Sequence, residues 1–150
     1  MGADLYIRDL PKENQYTGFR TSVNAGYFRD SYNNWNLLWQ YGLDYWVAFK
    51  KYLDEEGLLT PQGAQELLDE LKKREVVFQG NMALMLIKKN PVWDYDRYNG
   101  GKIGEPTYRP EKITLAERKD AVKWYIKHAK ELKAFLRKAI KLNSPIECSI

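Results

Sequence analysis

At 150 residues, with 44% hydrophobic and 14% aromatic content, the chain is long enough to bury a core without disulfide or metal support and too apolar for disorder. Its lone Cys148 excludes an internal disulfide, and with a single histidine, His128, no zinc site of His and Cys can be built within one chain. The net charge of +4 is uneven: residues 112–142 carry ten Lys/Arg against three acids, a local +7 that leaves −3 for the remainder.

The opening residues place Asp4 where a signal peptide wants basic residues, and Tyr6 spoils a myristoylation context at Gly2. The longest apolar run, residues 82–87, is too short to span a bilayer. These features predict a reduced, cytoplasmic protein with no membrane association. Neither a repeat nor a linker divides the chain, so a single domain is expected over residues 1–150.

Residues 3–7 suit a short extended arm, and residues 8–30 lack a sustained period and read mostly as loop. A helical region is predicted over 31–57, capped by Ser31 or Asn33, with Trp35, Leu38, Trp39, Leu43, Trp46, Phe49 and Leu53 on one face. Gly42 is its soft spot and Gly57 its stop. Ten of the twenty-one aromatic residues fall within 27–52. Thr60-Pro61 restarts the chain as a helix, with Ala64, Leu67, Leu68 and Leu71 buried; Gly80-Asn81 is read as an interruption within a second helical region, 61–89. A long loop, 90–112, follows. Thr114 to Glu117 then form a capping box that starts a helix over 114–142, with Val122, Tyr125, Ala129, Leu132, Leu136 and Ala139 as its core stripe. The fold class so predicted is mainly α: a single compact helical domain of three to four helices, with a short extended N-terminal arm and a long loop before the last helix. Trp39, Trp46 and Leu132 are expected to be buried.

Chemistry is sparse. His128 lies mid-helix beside the apolar stripe and reads as a packed boundary histidine rather than a catalytic base. Asp94-x-Asp96 fails the calcium-loop pattern at Tyr98 and Asn99, and Gly100-Gly101-Lys102 lacks the flanks of a phosphate loop. No catalytic residue, metal ligand or cofactor is assigned. The candidate ligand site is Tyr27, Arg29, Asp30, Tyr32, Asn33 and Trp35, with Trp93, Asp94 and Tyr95 as a lid. The guanidinium offers a fork for a carboxylate or phosphate, and the aromatic rings can stack on a base. The alternative is a structural turn, in which Asp30 caps the helix and Arg29 pairs with it. A second candidate surface is the row Lys119, Lys123, Lys127, Lys130, Lys133, Arg137 and Lys141, spaced by three and four residues on one helix face. It reads either as a solvated outer face or as a docking surface for phosphates or an acidic protein.

The opening Met1-Gly2-Ala3-Asp4-Leu5-Tyr6-Ile7 is joined by Tyr27-Phe28-Arg29-Asp30-Ser31-Tyr32-Asn33, then by Leu37-Leu38-Trp39, Gly42-Leu43 and Tyr45-Trp46. This combination resembles a group of small bacterial and phage-borne proteins of unassigned function. The resemblance covers about the first third of the chain and implies no activity, cofactor or catalytic residue. It marks residues 27–46 as one unit. The function expected from the residues is a non-enzymatic binding protein for a small anionic or nucleotide-like ligand. The alternatives are an interaction protein of the phage- or mobile-element inhibitor type, acting through the cationic helix on an acidic protein or nucleic acid, and a small enzyme using Asp30, Arg29 and tyrosine chemistry.

Overall fold

A computed structural model describes residues 2–12, 20–31, 37–43, 50–87 and 114–149. Its elements run in the order β1 (Gly2–Ile7), β2 (Tyr27–Ser31), α1 (Leu37–Gln40), β3 (Leu58–Leu59), α2 (Pro61–Lys73), α3 (Glu75–Ile87), α4 (Leu115–Lys141) and β4 (Ile146–Ser149). The four strands form one antiparallel sheet in the order β2-β1-β4-β3. The fold is therefore mixed α/β, which corrects the mainly helical expectation.

The missing strands have a physical reason. β2 carries Tyr27 and Arg29 on one face and Phe28 and Asp30 on the other, so each face mixes polar and aromatic residues and no clean alternation shows. β4 is four residues long and gains its identity only by pairing with β1, with Asp4 opposite Ser149 and Ile7 opposite Ile146. The two central strands thus come from distant parts of the chain. One sheet face presents Ala3, Leu5, Ile7, Phe28, Leu59 and Ile146, all fully buried, to the core. The other presents Asp4, Tyr6, Arg29 and Glu147.

Helix α4 covers the apolar face. Thr114 caps it by accepting from the Glu117 amide at 3.1 Å, as the capping box predicts. Its buried residues include Val122, Tyr125, Ala129, Leu132, Leu136 and Ala139, the stripe read from periodicity, together with Phe135 and His128. The Phe135 ring lies 5.9 Å from that of Phe28 on β2. Asn143 ends the helix in the left-handed region at φ 50, and the Ser144 amide closes back onto the Ala139 carbonyl at 3.0 Å. The buried Ser144 hydroxyl accepts from the Asp9 amide at 3.0 Å, and Pro145 leads directly into β4.

Helices α2 and α3 also pack against the buried stripe of α4. Thr60 caps α2 by accepting from the Gly63 amide at 3.0 Å, with Pro61 at the first helical position. A side chain at Gly63 would meet the Tyr52 carbonyl oxygen at 2.5 Å, so only glycine lets α2 start this close to the preceding backbone. Gly80-Asn81 does not interrupt the chain: α3 runs through it, and the Asn81 side-chain Nδ2 donates to the Gln40 carbonyl at 2.8 Å.

The predicted helix over 31–57 is also corrected. Residue 31 closes a strand, and α1 stops after Gln40, because Gly42 turns left-handed at φ +73 while the Leu43 amide bonds the Leu38 carbonyl at 2.9 Å. This turn breaks the face that the spacing implied, and Trp39 is 40% exposed rather than buried. Trp46 and the loop over 90–112 lie outside the described residues. No helix among the described residues is long and apolar enough to cross a membrane.

Leu132, 1% exposed at the centre of the α4 stripe, is the test of this packing. Leu132→Ala should lower unfolding free energy in urea by about 2–5 kcal/mol, and Trp39→Ala should lower it clearly less.

Candidate functional site

Strand pairing separates the two residues on which the ligand reading turned. Arg29 points to the outer sheet face, where its Nη1 lies 2.7 Å from Asp4 Oδ1 on β1. The Tyr27 hydroxyl donates to the same carboxylate oxygen, and the Tyr6 ring packs on Tyr27 at 5.1 Å between centroids. The partner of Arg29 is thus Asp4, twenty-five positions earlier, and not its neighbour Asp30. Burial, followed by the hydrogen bond to Asp4, pushes the Tyr27 hydroxyl up to about 12.

Asp30 points the opposite way, into the core. Its Oδ2 accepts from the Leu37 amide at 3.0 Å, so it caps α1 from a strand rather than from the helix's own first turn. Its Oδ1 lies 3.7 Å from His128 Nε2, beyond hydrogen-bond reach. The imidazole is held between the Phe28 and Trp124 rings, each 4.6 Å away centroid to centroid. His128 therefore packs between the sheet and Trp124 of its own helix. With side chains 7% and 0% exposed, the His128–Asp30 pair presents no surface to a substrate. Tyr32, Asn33, Trp35, Trp93, Asp94 and Tyr95 lie outside the described residues. Of the proposed ligand site, Tyr27 and Arg29 stand together, and Asp30 stands apart from them.

The cationic row is laid out differently. Lys119, Lys123, Lys127, Lys130, Arg137 and Lys141 are exposed along α4, on the side away from its buried stripe. Lys127 reaches only 3.9 Å from Glu131, with its own side chain 79% exposed. Among the described residues the other five make no ion pair. Lys133 is the exception within the row. Its Nζ sits 3.0 Å from Glu75 Oε2 and 5.8 Å from the Tyr41 ring centroid. Burial tends to raise the Glu75 carboxyl, but hydrogen bonds from Lys133 and Gln79 outweigh it and hold the group below the usual carboxylate range. Sequence spacing could not find this pair, because Glu75 lies 58 positions away. Beside it, an open cleft of about 420 Å³ between α2 and α4 is lined by Gln65, Asp69, Lys72, Lys133 and Arg137 among others.

Among the described residues no group of three or more His, Cys, Asp or Glu side chains is placed to hold a metal ion. Cys148, half-buried at the sheet, has its thiol pushed up to about 12 by the burial around it, which leaves little nucleophilic thiolate at neutral pH. Comparisons with protein-family models, curated proteins and solved structures gave no match.

Two outcomes test the Asp4 cluster. Arg29→Lys keeps the charge but loses the fork that meets Asp4, and should cost about 1 kcal/mol of stability. Because the folded Tyr27 hydroxyl ionises above its ordinary value of 10, its contribution to stability is complete below pH 10 and is lost as pH rises through about 12. A tyrosinate absorbance titration should show a late-ionising class, to which the buried Tyr41 also belongs, that loses one member in Tyr27→Phe, and that member should ionise earlier in Asp4→Asn.

Proposed function

We propose that this chain is a non-enzymatic binding protein that docks a polyanion, the phosphate backbone of nucleic acid, on the solvent face of α4. The supporting observation is the row of six exposed cations, five of them without an ion pair among the described residues. Steps of three and four residues, with one of seven where Lys133 turns inward, set them roughly 4.5–10.5 Å apart along an axis of about 33 Å from Lys119 to Lys141. Such a line meets a regular line of phosphates better than it meets one small anion. Arg29, committed to Asp4, supports the small-ligand reading less. The half-buried thiol of Cys148, the lone cysteine, fits a cytoplasmic setting.

Repulsion within the row is modest, because charges in water are screened over about 8 Å at physiological salt. Docking would release the counterions condensed on the phosphates, so affinity should fall with salt at a log-log slope near −0.9 per phosphate neutralised on duplex DNA. Changing Lys123, Lys127 and Lys130 together to Gln should flatten that slope by up to about three while leaving the melting temperature almost unchanged. Retention on duplex and single-stranded nucleic acid, measured from low to physiological salt, decides the matter. Absence of retention at low salt, where the attraction is strongest, overturns the assignment.

A further inference from the structure

From Val76 to Ile87, α3 contains no charged residue, in a chain that is 29% charged. Its core face is Phe78, Met82 and Met85. The opposite face, apolar but for Gln79 at its edge, is bare: Val76 is 83% exposed, Ile87 80%, Val77 45% and Leu84 38%, with Gly80 and Ala83 also exposed between them. A helix that is apolar all round belongs in an interior, and a solvated helix of this protein looks different, as the charged outer faces of α2 and α4 show. The bare face amounts to something on the order of 500 Å², at the upper end of what a monomer leaves exposed.

The layout of the face indicates what covers it. Val76, Gly80, Ala83 and Ile87 follow one another at steps of four, three and four, so the row reads the same in both directions, with bulky residues at its ends and small ones at its middle. Among the described residues nothing lies within 4 Å of where a side chain at Gly80 would stand, which leaves room for a second backbone to approach closely. A two-fold axis beside the middle of the row would set Val76 against Ile87 of a second copy, Gly80 against Ala83, and Val77 against Leu84. Each contact would occur twice, as a self-complementary interface requires. The face carries no charge to attract a polyanion or a charged protein, and it matches its own chemistry. Two copies would bury about 1,000 Å² in total through this helix alone, the size at which specific interfaces begin. We infer that α3 is a homodimer interface, in which two copies of this chain pair their α3 helices antiparallel across Gly80 and Ala83.

Sedimentation equilibrium from dilute to concentrated solution should show the mass rising from 17.7 kDa to twice that value. Val76→Glu/Ile87→Glu should remain monomeric throughout. Both side chains stand in solvent in the single chain, so this variant should keep the circular dichroism spectrum and the low-concentration melting temperature of the parent. Orientation is tested in a Cys148→Ser background. A mixture of Val76→Cys and Ile87→Cys proteins should form a disulfide between the two variants, and neither should cross-link readily by itself. A monomer at every concentration, a dimer indifferent to the two glutamates, or cross-linking of each cysteine variant with itself would each overturn the inference.

Discussion

Along one buried stripe, α4 touches Phe28 on the sheet, the end of α1, and the inner faces of α2 and α3. Tyr125, Leu132, Phe135 and Leu136 are at most 1% exposed there, and each large apolar side chain so buried contributes roughly 1.5–3 kcal/mol. β2, α1, α2 and α3 reach their places by covering parts of this stripe, and the remaining strands are held by pairing. The sheet presents its apolar face because α4 lies on it, and α2 and α3 are brought side by side because both lean on the same helix. The position of the cations follows from the same constraint. A helix that surrenders one face to the core has the other for solvent, and the lysines occupy that remainder. Only Lys133, at the boundary between the two, is drawn inward to Glu75.

The parts of this arrangement that were legible in the sequence are those written within a few residues of one another. Thr114 and Glu117 announce the start of α4, Asn143-Ser144-Pro145 its stop, and Thr60-Pro61 the start of α2. The packed position of His128 beside the apolar stripe was also legible, although its packing partner was not. What was illegible depends on residues far apart in the chain. Arg29 has an acidic neighbour in Asp30, and a local reading pairs them. Pleating sends the two to opposite faces, and β1 supplies Asp4 instead. The failure at Trp39 has another cause. The apolar spacing continues past Gly42 as though the helix did, but spacing records only which residues are apolar, whereas the left-handed turn at Gly42 redirects the backbone. The six remaining residues of the sequence-predicted ligand site lie outside the described residues.

The two surfaces left open are chemically unlike each other, and both lean on the same interior. The outer side of α4 is charged and elongated, and the outer side of α3 is neutral and short. If α3 joins two chains and the cationic row holds a polyanion, each particle carries two such rows, and the second docks under the effective concentration set by the first. Modest attraction at one row then becomes firm attachment to a long polyanion. Apolar contact and ionic contact respond differently to salt, since screening weakens the ionic contact and leaves the hydrophobic one nearly untouched.

The neighbourhood of β1 and β4 at the centre of the sheet bears on how the protein is made. Arg8, just after β1, and Glu147 in β4 are 139 positions apart, yet they end within 3.2 Å. On a ribosome adding about 5–20 residues per second, β1 waits between roughly seven and thirty seconds for the strand that completes it. β2 arrives early and protects one side. The other side of β1 meanwhile offers unpaired amides and carbonyls beside the apolar row Ala3, Leu5 and Ile7, a template for any nascent chain with an open strand. The hazard for this fold therefore falls during translation rather than in the finished molecule. A permuted chain in which β4 runs through a short hairpin into β1 would close the gap at once, and its soluble yield would report how much is ordinarily lost in the wait.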